Sequence, residues 1–321
     1  MLNMQLSDRI GRRMKLHDLH VLMAVIQAGS MSKAAQVLNT TQPAISRSIA
    51  DLEHTIGVRL LDRGRQGAEP TEYGRALLDG GTAMFDDLRQ AVKKIEFLAD
   101  PAVGEVRIGA TDPLVVGVLP AVFGRLHRKF PKVSLHVTTI VQNALHYRDL
   151  RERKIDLLFA RITSPSQDDI QVERLFYDSV RIVAGPKSRW TRRRSIELPE
   201  LAHEPWCLPP LDSLIGSLVE DAFRARGMKF PPTGATSGGA AFICAYLRKC
   251  PALGILPASL LRFGENLPRL KVLPVDLPIT PWPVGIMSLK NRTLTPVVRL
   301  FMDCAREIVK PLAGKSGLRK S

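Results

Sequence analysis

The chain has 321 residues with 46 Lys+Arg against 31 Asp+Glu, a formal net charge of +15, and a length that calls for two or three domains rather than one core. No run of about 18 apolar residues is available for a membrane span, and the four cysteines (Cys207, Cys244, Cys250, Cys304) form neither a CxxC pair nor a zinc spacing, so reduced thiols in a cytoplasmic protein are expected. The charge suggests a polyanionic partner, yet residues 1–100 hold 13 basic against 12 acidic side chains; much of the excess sits in "RWTRRR" (189–194) and the C-terminal tail, where solvated charge is the plainer reading.

Residues 1–14 carry little pattern and are expected to form a disordered extension. They lack the apolar core and cleavage site of a signal peptide. From Leu16 a helix begins, with Leu19, Leu22, Met23 and Ile26 at helical spacing. Gly29 stops it and Ser30 caps the next. Ala34, Val37 and Leu38 are predicted to form the inner face of that short helix. Asn39-Thr40-Thr41 is turn chemistry, with Thr41 as N-cap and Pro43 in the following first turn. Ile45, Ile49, Leu52 and Ile56 then make one apolar stripe, closed by Gly57.

The other face of this third helix holds Gln42, Ser46 and Arg47 near its start. A helix pair that presents the leading end of its second member is the helix-turn-helix arrangement, and that end enters the major groove. Gln can pair with adenine, Arg with guanine and Ser with several bases, while a helix start favours phosphate. Ser32 and Thr41, at the leading ends of the second and third helices, complete the candidate set with Pro43. An ordinary helical hairpin with a solvated face is the alternative, disfavoured by the alanine pair, the capped turn and the polar patch. Next, "VRLLDRGRQGAEPTEYG" (58–74) reads as two extended pieces around Gly64 and Gly67, a β-hairpin wing. Arg63 and Arg65 at its tip are placed to meet phosphate or the minor groove.

Thr71 caps a long helix running to about Leu98. Leu77, Gly81, Met84, Leu88, Ala91, Ile95 and Leu98 step by four and three, a heptad seam that needs a partner. A second copy is the expected partner, since paired recognition helices read two half-sites; packing against its own domain competes. The domain boundaries expected are 15–73 for the winged head and 74–100 for the linker helix, with residues 101–321 beyond it.

After "DPAVGEV" (100–106) strands alternate with helices. "VRIGA" (106–110), "VSLHVTTI" (133–140) and "IDLLFARI" (155–162) are strands, with helices around 118–129 and 143–153, which predicts a mostly parallel sheet. A second set follows. The chain is expected to leave one lobe near Ile162 and return near Arg269, giving lobe I as 104–162 and 270–310 and lobe II as 163–269. Two lobes joined by two crossings make a hinged cleft for a small ligand. The fold class is therefore α+β and multidomain: a winged helix-turn-helix, a linker helix and a two-lobed α/β domain.

Residues 16–78 resemble the DNA-binding domain of LysR-type transcriptional regulators, on "LHVLMAVIQAGSMSKAAQVLNTTQPAISRSIADLEHTIGVRLLDR" and "PTEYGRALL". The resemblance continues more loosely to the end of the chain. It implies a dimerising linker helix, an effector domain like periplasmic solute-binding proteins, and assembly as a dimer of dimers. Promoter double-stranded DNA, a small metabolite and RNA polymerase are the partners it implies. Gln42, Pro43, Ser46 and Arg47 match the recognition-helix motif and Arg63 the wing arginine. Leu61 departs from the usual phenylalanine, and Pro70 from the usual leucine.

For the effector cleft, the matching stretches are "ATDPL" (110–114), "VQN" (141–143), Arg161, "PPLDS" (209–213) and "TSGG" (236–239). They supply Thr111, Asp112, Pro113, Gln142, Asn143, Arg161, Leu211, Ser213 and Ser237. Asp112-Pro113 stands where the family often has a hydroxyl and free N–H groups. Aspartate repels a carboxylate unless Arg161 neutralises it, so an organic acid or a sugar-like effector stays open. Plain helix capping is the alternative for Asp112 and Ser213. Competing functions are an α/β enzyme and an effector-independent repressor or architectural DNA-binding protein. No GxGxxG after a strand, GxxxxGK[ST], HExxH or GxSxG supports an enzyme, and no cofactor or metal is expected.

Overall fold

The structure, a computed structural model, describes residues 13–64, 67–101, 103–141, 147–163, 167–264 and 270–313 and divides into two units, residues 1–91 and 92–321. The first unit is built on α1 (Leu16–Ala28), α2 (Met31–Val37) and α3 (Gln42–Ile56). Its boundaries follow the local chemistry. Gly29 ends α1 in the left-handed conformation, at φ 72°. Ser30 Oγ accepts from the N–H of Lys33, and Thr41 Oγ1 from that of Ala44. Leu19, Leu22, Val25, Ala34, Ile45 and Ile49 are central to one core. Val37, expected inside, is instead 70% exposed; Ala35 takes the inner position beside Ala34.

One polar contact crosses that core: Ser48 Oγ donates to Asp18 Oδ1 at 2.5 Å, tying α3 to α1. Ser48→Ala leaves the buried carboxylate short of a donor. The expected cost is about 1–3 kcal/mol of head stability, read from the denaturation midpoint of the full chain's first transition.

The wing is an antiparallel hairpin of β1 (Leu61–Gly64) and β2 (Gly67–Pro70), with Leu61 opposite Pro70. Leu61, the departure from the family pattern, is buried in the head's core. The N–H of Ala68 donates to Gly29 O at 2.9 Å. Gly67 sits at φ 127°, and a Cβ there would lie 2.3 Å from that same carbonyl. The wing is thereby pinned to the end of α1. Thr71 Oγ1 accepts from the N–H of Gly74 and starts α4 (Glu72–Ala99) as expected.

The predicted seam on α4 divides. Leu77 and Met84 pack, with Phe85, against the head's own core. Gly81 lets the helix approach Leu19, where an added Cβ would come within 3.0 Å, so the face expected to meet a second copy also meets the head here. Leu88, Ile95 and Leu98 are 47%, 65% and 72% exposed, Val92 joins them at 54%, and Ala91 is exposed too.

In the second unit the strands are β3 (Val103–Thr111), β4 (Lys132–Ile140), β5 (Leu157–Arg161), β6 (Ile170–Asp178), β7 (Val180–Ala184), β8 (Trp206–Leu208), β9 (Thr233–Thr236), β10 (Leu253–Pro257), β11 (Lys271–Val272) and β12 (Trp282–Leu289). The helices are α5 (Asp112–Val116), α6 (Val118–Lys129), α7 (Arg148–Arg151), α8 (Leu214–Ala225), α9 (Ala240–Lys249), α10 (Ala258–Phe263) and α11 (Pro296–Ala313). Two five-stranded sheets form, in the orders β4-β3-β5-β12-β6 and β11-β7-β10-β8-β9.

Both sheets are mixed rather than mostly parallel. In the first, β3 pairs β4 and β5 parallel while β12 pairs β5 and β6 antiparallel. In the second, β8 pairs β9 and β10 parallel while β7 pairs β10 and β11 antiparallel. The lobe boundaries differ from those expected. β6 belongs to the first sheet, so the chain crosses at Ser179, between β6 and β7, not near Ile162. It returns between β11 and β12, not near Arg269. Alternating strands look alike whichever sheet receives them, so periodicity left the crossing open.

Lobe I is anchored by α6 and α11 over Val106, Ile108, Phe159 and Ile286. Asp156, buried at the start of β5, bonds the guanidinium groups of Arg107 and Arg292 at 2.8 Å each. In lobe II, Trp206 is fully buried, edge-on to Phe223, with its Nε1–H donating to Leu201 O.

Candidate functional site

Two surfaces gather the candidate residues. On the head, Ser32, Thr41, Gln42, Pro43 and Arg47 are exposed and Ser46 is half-buried. The phase of α3 explains this: Ile45, Ser48, Ile49 and Leu52 take the inner positions, which turns Gln42 and Arg47 outward. Ser32 Oγ donates to Gln42 Oε1 at 3.2 Å, joining the starts of α2 and α3. Thr41 is used as the cap of α3. The backbone of Arg63 lies in β1; its side chain, and all of Arg65, lie outside the described residues.

The second surface is a cavity of about 620 Å³ between the lobes, at the carboxyl ends of β3 and β5. Ligands of open α/β sheets are found beyond such strand ends. Thr111, Asp112, Pro113, Arg161 and Ser213 all line it. Leu211 and Ser237 do not. Leu211 is half exposed on its turn, and Ser237 Oγ accepts from the N–H of Gly239, so Gly238 and Gly239 form the wall in its place. Gln142 and Asn143 lie outside the described residues. Thr139, Asp178 and Trp282 line the cavity without having been singled out. The first two end β4 and β6, and Trp282 begins the antiparallel β12; strand ends at a cleft were the signal available for them.

Hydrogen bonds assign two of the lining side chains. Ser213 Oγ accepts from the N–H of Gly216 at 3.1 Å and donates to Pro210 O, so it caps α8. Asp112 Oδ2 accepts from the N–H of Ala240 at 2.7 Å, the first residue of α9 in the other lobe. Capping therefore describes both, and Asp112 caps a helix 128 residues away.

Arg161 supplies the positive charge. Its guanidinium lies 4.9 Å from the centroid of the Trp282 ring, within cation–π range. Burial pulls its pKa below the usual arginine value, and arginine stays charged nonetheless. Asp178 is buried, and desolvation raises its carboxyl pKa; Ser259 Oγ at 2.5 Å and the N–H groups of Ser259 and Ser179 pull the other way. Burial pushes the Cys207 thiol up to about 11, which keeps it protonated and unreactive. Among the described residues no group of three His, Cys, Asp or Glu could hold a metal. No helix there is long and apolar enough to cross a membrane.

Comparison with known proteins agrees with this division. A family profile described as "LysR substrate binding domain" matches residues 99–310. A second, "Bacterial regulatory helix-turn-helix protein, lysR family", matches residues 16–75. The transcriptional regulator PcaQ of Agrobacterium fabrum is 29% identical over 300 residues, 93% of this chain and 96% of PcaQ. Among solved structures, full-length CbnR complexed with its target DNA has a TM-score of 0.52 at 21% identity, covering 92% of this chain and 99% of that one. The effector-binding domain of QuiR in complex with shikimate has a TM-score of 0.51 at 18% identity, over 66% of this chain and 99% of that one.

Proposed function

The chain belongs to the LysR family of DNA-binding transcriptional regulators, and from that premise we propose that it reads promoter DNA with the leading end of α3 and answers to a small organic anion held between its lobes. The observation that carries the effector class is Arg161, stacked on Trp282 in the wall of a 620 Å³ cavity. A largely apolar pocket with one fixed cation suits a carboxylate on an apolar body. QuiR, which binds shikimate, lends the precedent of a small organic ligand in this fold.

Gln42, Ser46 and Arg47 read base edges, and the wing with Arg63 and Arg65 meets the DNA backbone. The apolar stripe Leu88, Ala91, Val92, Ile95 and Leu98 on α4 pairs with a second copy, and two such dimers associate on the promoter where RNA polymerase binds. The protein acts in the cytoplasm and carries no catalytic centre of its own.

A thermal-shift panel of organic acids and polyols on the full-length chain tests the effector reading. A true effector at 100 times its Kd stabilises by about 2.7 kcal/mol, and Arg161→Ala removes the shift. No response to any compound, or a shift that survives Arg161→Ala, counts against it. Ser213→Ala has a different signature: it lowers the melting point with or without ligand, by about 1 kcal/mol of capping energy.

A second reading, an effector-independent DNA-binding protein, has one observation in its favour. Asp112 joins the two lobes through a hydrogen bond of the chain's own.

A further inference from the structure

The bond from Ala240 N–H to Asp112 Oδ2 crosses between the lobes at the cleft, as the bonds of Asp178 to Ser259 do beside it. It links α5, carried on the end of β3 in lobe I, to the first amide of the ten-residue α9 in lobe II. A helix start leaves four amides without intrahelical partners and favours negative charge. Asp112 answers both needs for α9. Gly238 and Gly239, immediately before Ala240, form part of the cavity wall, so the bond fixes where that wall stands.

The charges around the cavity are unequal. Asp112, Asp178 and Asp212 line it against one described cation, Arg161. Asp178 is turned to Ser259 and Ser179, and Asp212 is exposed. A ligand carboxylate beside Arg161 is matched. A second one on the α9 side meets the carboxylate of Asp112, and like charges in contact are strongly disfavoured.

We propose that Asp112 straps the α9 side of the cleft and thereby sets its selectivity: the cavity takes an effector with one anionic group and rejects one that brings a second to α9. The strap stands by itself, while the selectivity rests on the effector reading above. Asp112 is thus a positioning residue for the wall and a discriminating residue for the ligand.

The experiment compares full-length wild type, Asp112→Asn and Asp112→Ala. Hydrogen exchange by mass spectrometry is followed across residues 238–244. Asp112→Ala is expected to speed exchange at Ala240 by about tenfold, while Asp112→Asn, which keeps an acceptor oxygen, stays near wild type. Equal exchange in all three overturns the strap. Benzoate and phthalate at constant ionic strength then probe selectivity by thermal shift. Asp112→Asn is expected to lower the stabilising concentration of phthalate about tenfold more than that of benzoate, relative to wild type. Equal changes for the two compounds overturn the selectivity. If neither compound nor the wider panel shifts wild type while Ala240 exchange still follows residue 112, the strap stands and the effector reading falls with the selectivity.

Discussion

Arg47→Ala is expected to weaken binding to the selected operator by about 1–3 kcal/mol while leaving scrambled DNA nearly unaffected. Arg47 is exposed in the second turn of α3, and its orientation is fixed from beneath. Ile45, Ser48 and Ile49 are buried on the opposite side, with Ser48 bonded to Asp18 in α1. The side chain therefore leaves a rigid base, which is what base reading by a forked guanidinium requires. The measurement is fluorescence anisotropy on an operator selected from randomised DNA by the full-length protein, against a scrambled duplex at the same salt. Equal weakening on both duplexes, with a salt slope reduced by about one, would make Arg47 a phosphate contact and remove it from sequence readout.

Leu88→Asp should turn the assembly into monomers of 35.5 kDa by light scattering. Leu88, Val92 and Ile95 follow one another by four and three residues, and all three are about half exposed or more. Apolar side chains aligned this way along a helix are covered by another helix in the stable arrangement. An aspartate in the middle of the stripe has to be desolvated without a partner, and that cost exceeds what one leucine contributes. Loss of pairing also predicts weaker binding to an operator with two half-sites than to one half-site alone would explain. Leu77→Asp is the informative contrast, because Leu77 packs on the head's core. It should lower stability first. An unchanged mass for Leu88→Asp would assign the stripe to some other contact.

The head was legible because its signals are local. Ser30, Thr41 and Thr71 each bond an amide three residues on, and Gly29 and Gly57 each take the left-handed stop. Such features read directly from neighbouring residues. The cleft was legible only by halves. Arg161 and Thr111 came from stretches that match the family pattern, but the partner of Asp112 lies 128 residues along the chain, and no spacing rule reaches that far. Leu77 was read from spacing alone. A step of four and three marks an apolar face without saying which surface covers it, and Gly81 lets α1 cover the first part. The sheet assignment of β6 failed because its alternation suits either lobe.

Between the last residue of β6 and the first of β7 stands Ser179 alone. So short a tether spans only a few ångströms even when fully extended. One sheet can swivel against the other about that point, yet it has no slack with which to slide. With the second crossing between β11 and β12, the tether leaves rotation as the easier motion of one lobe against the other.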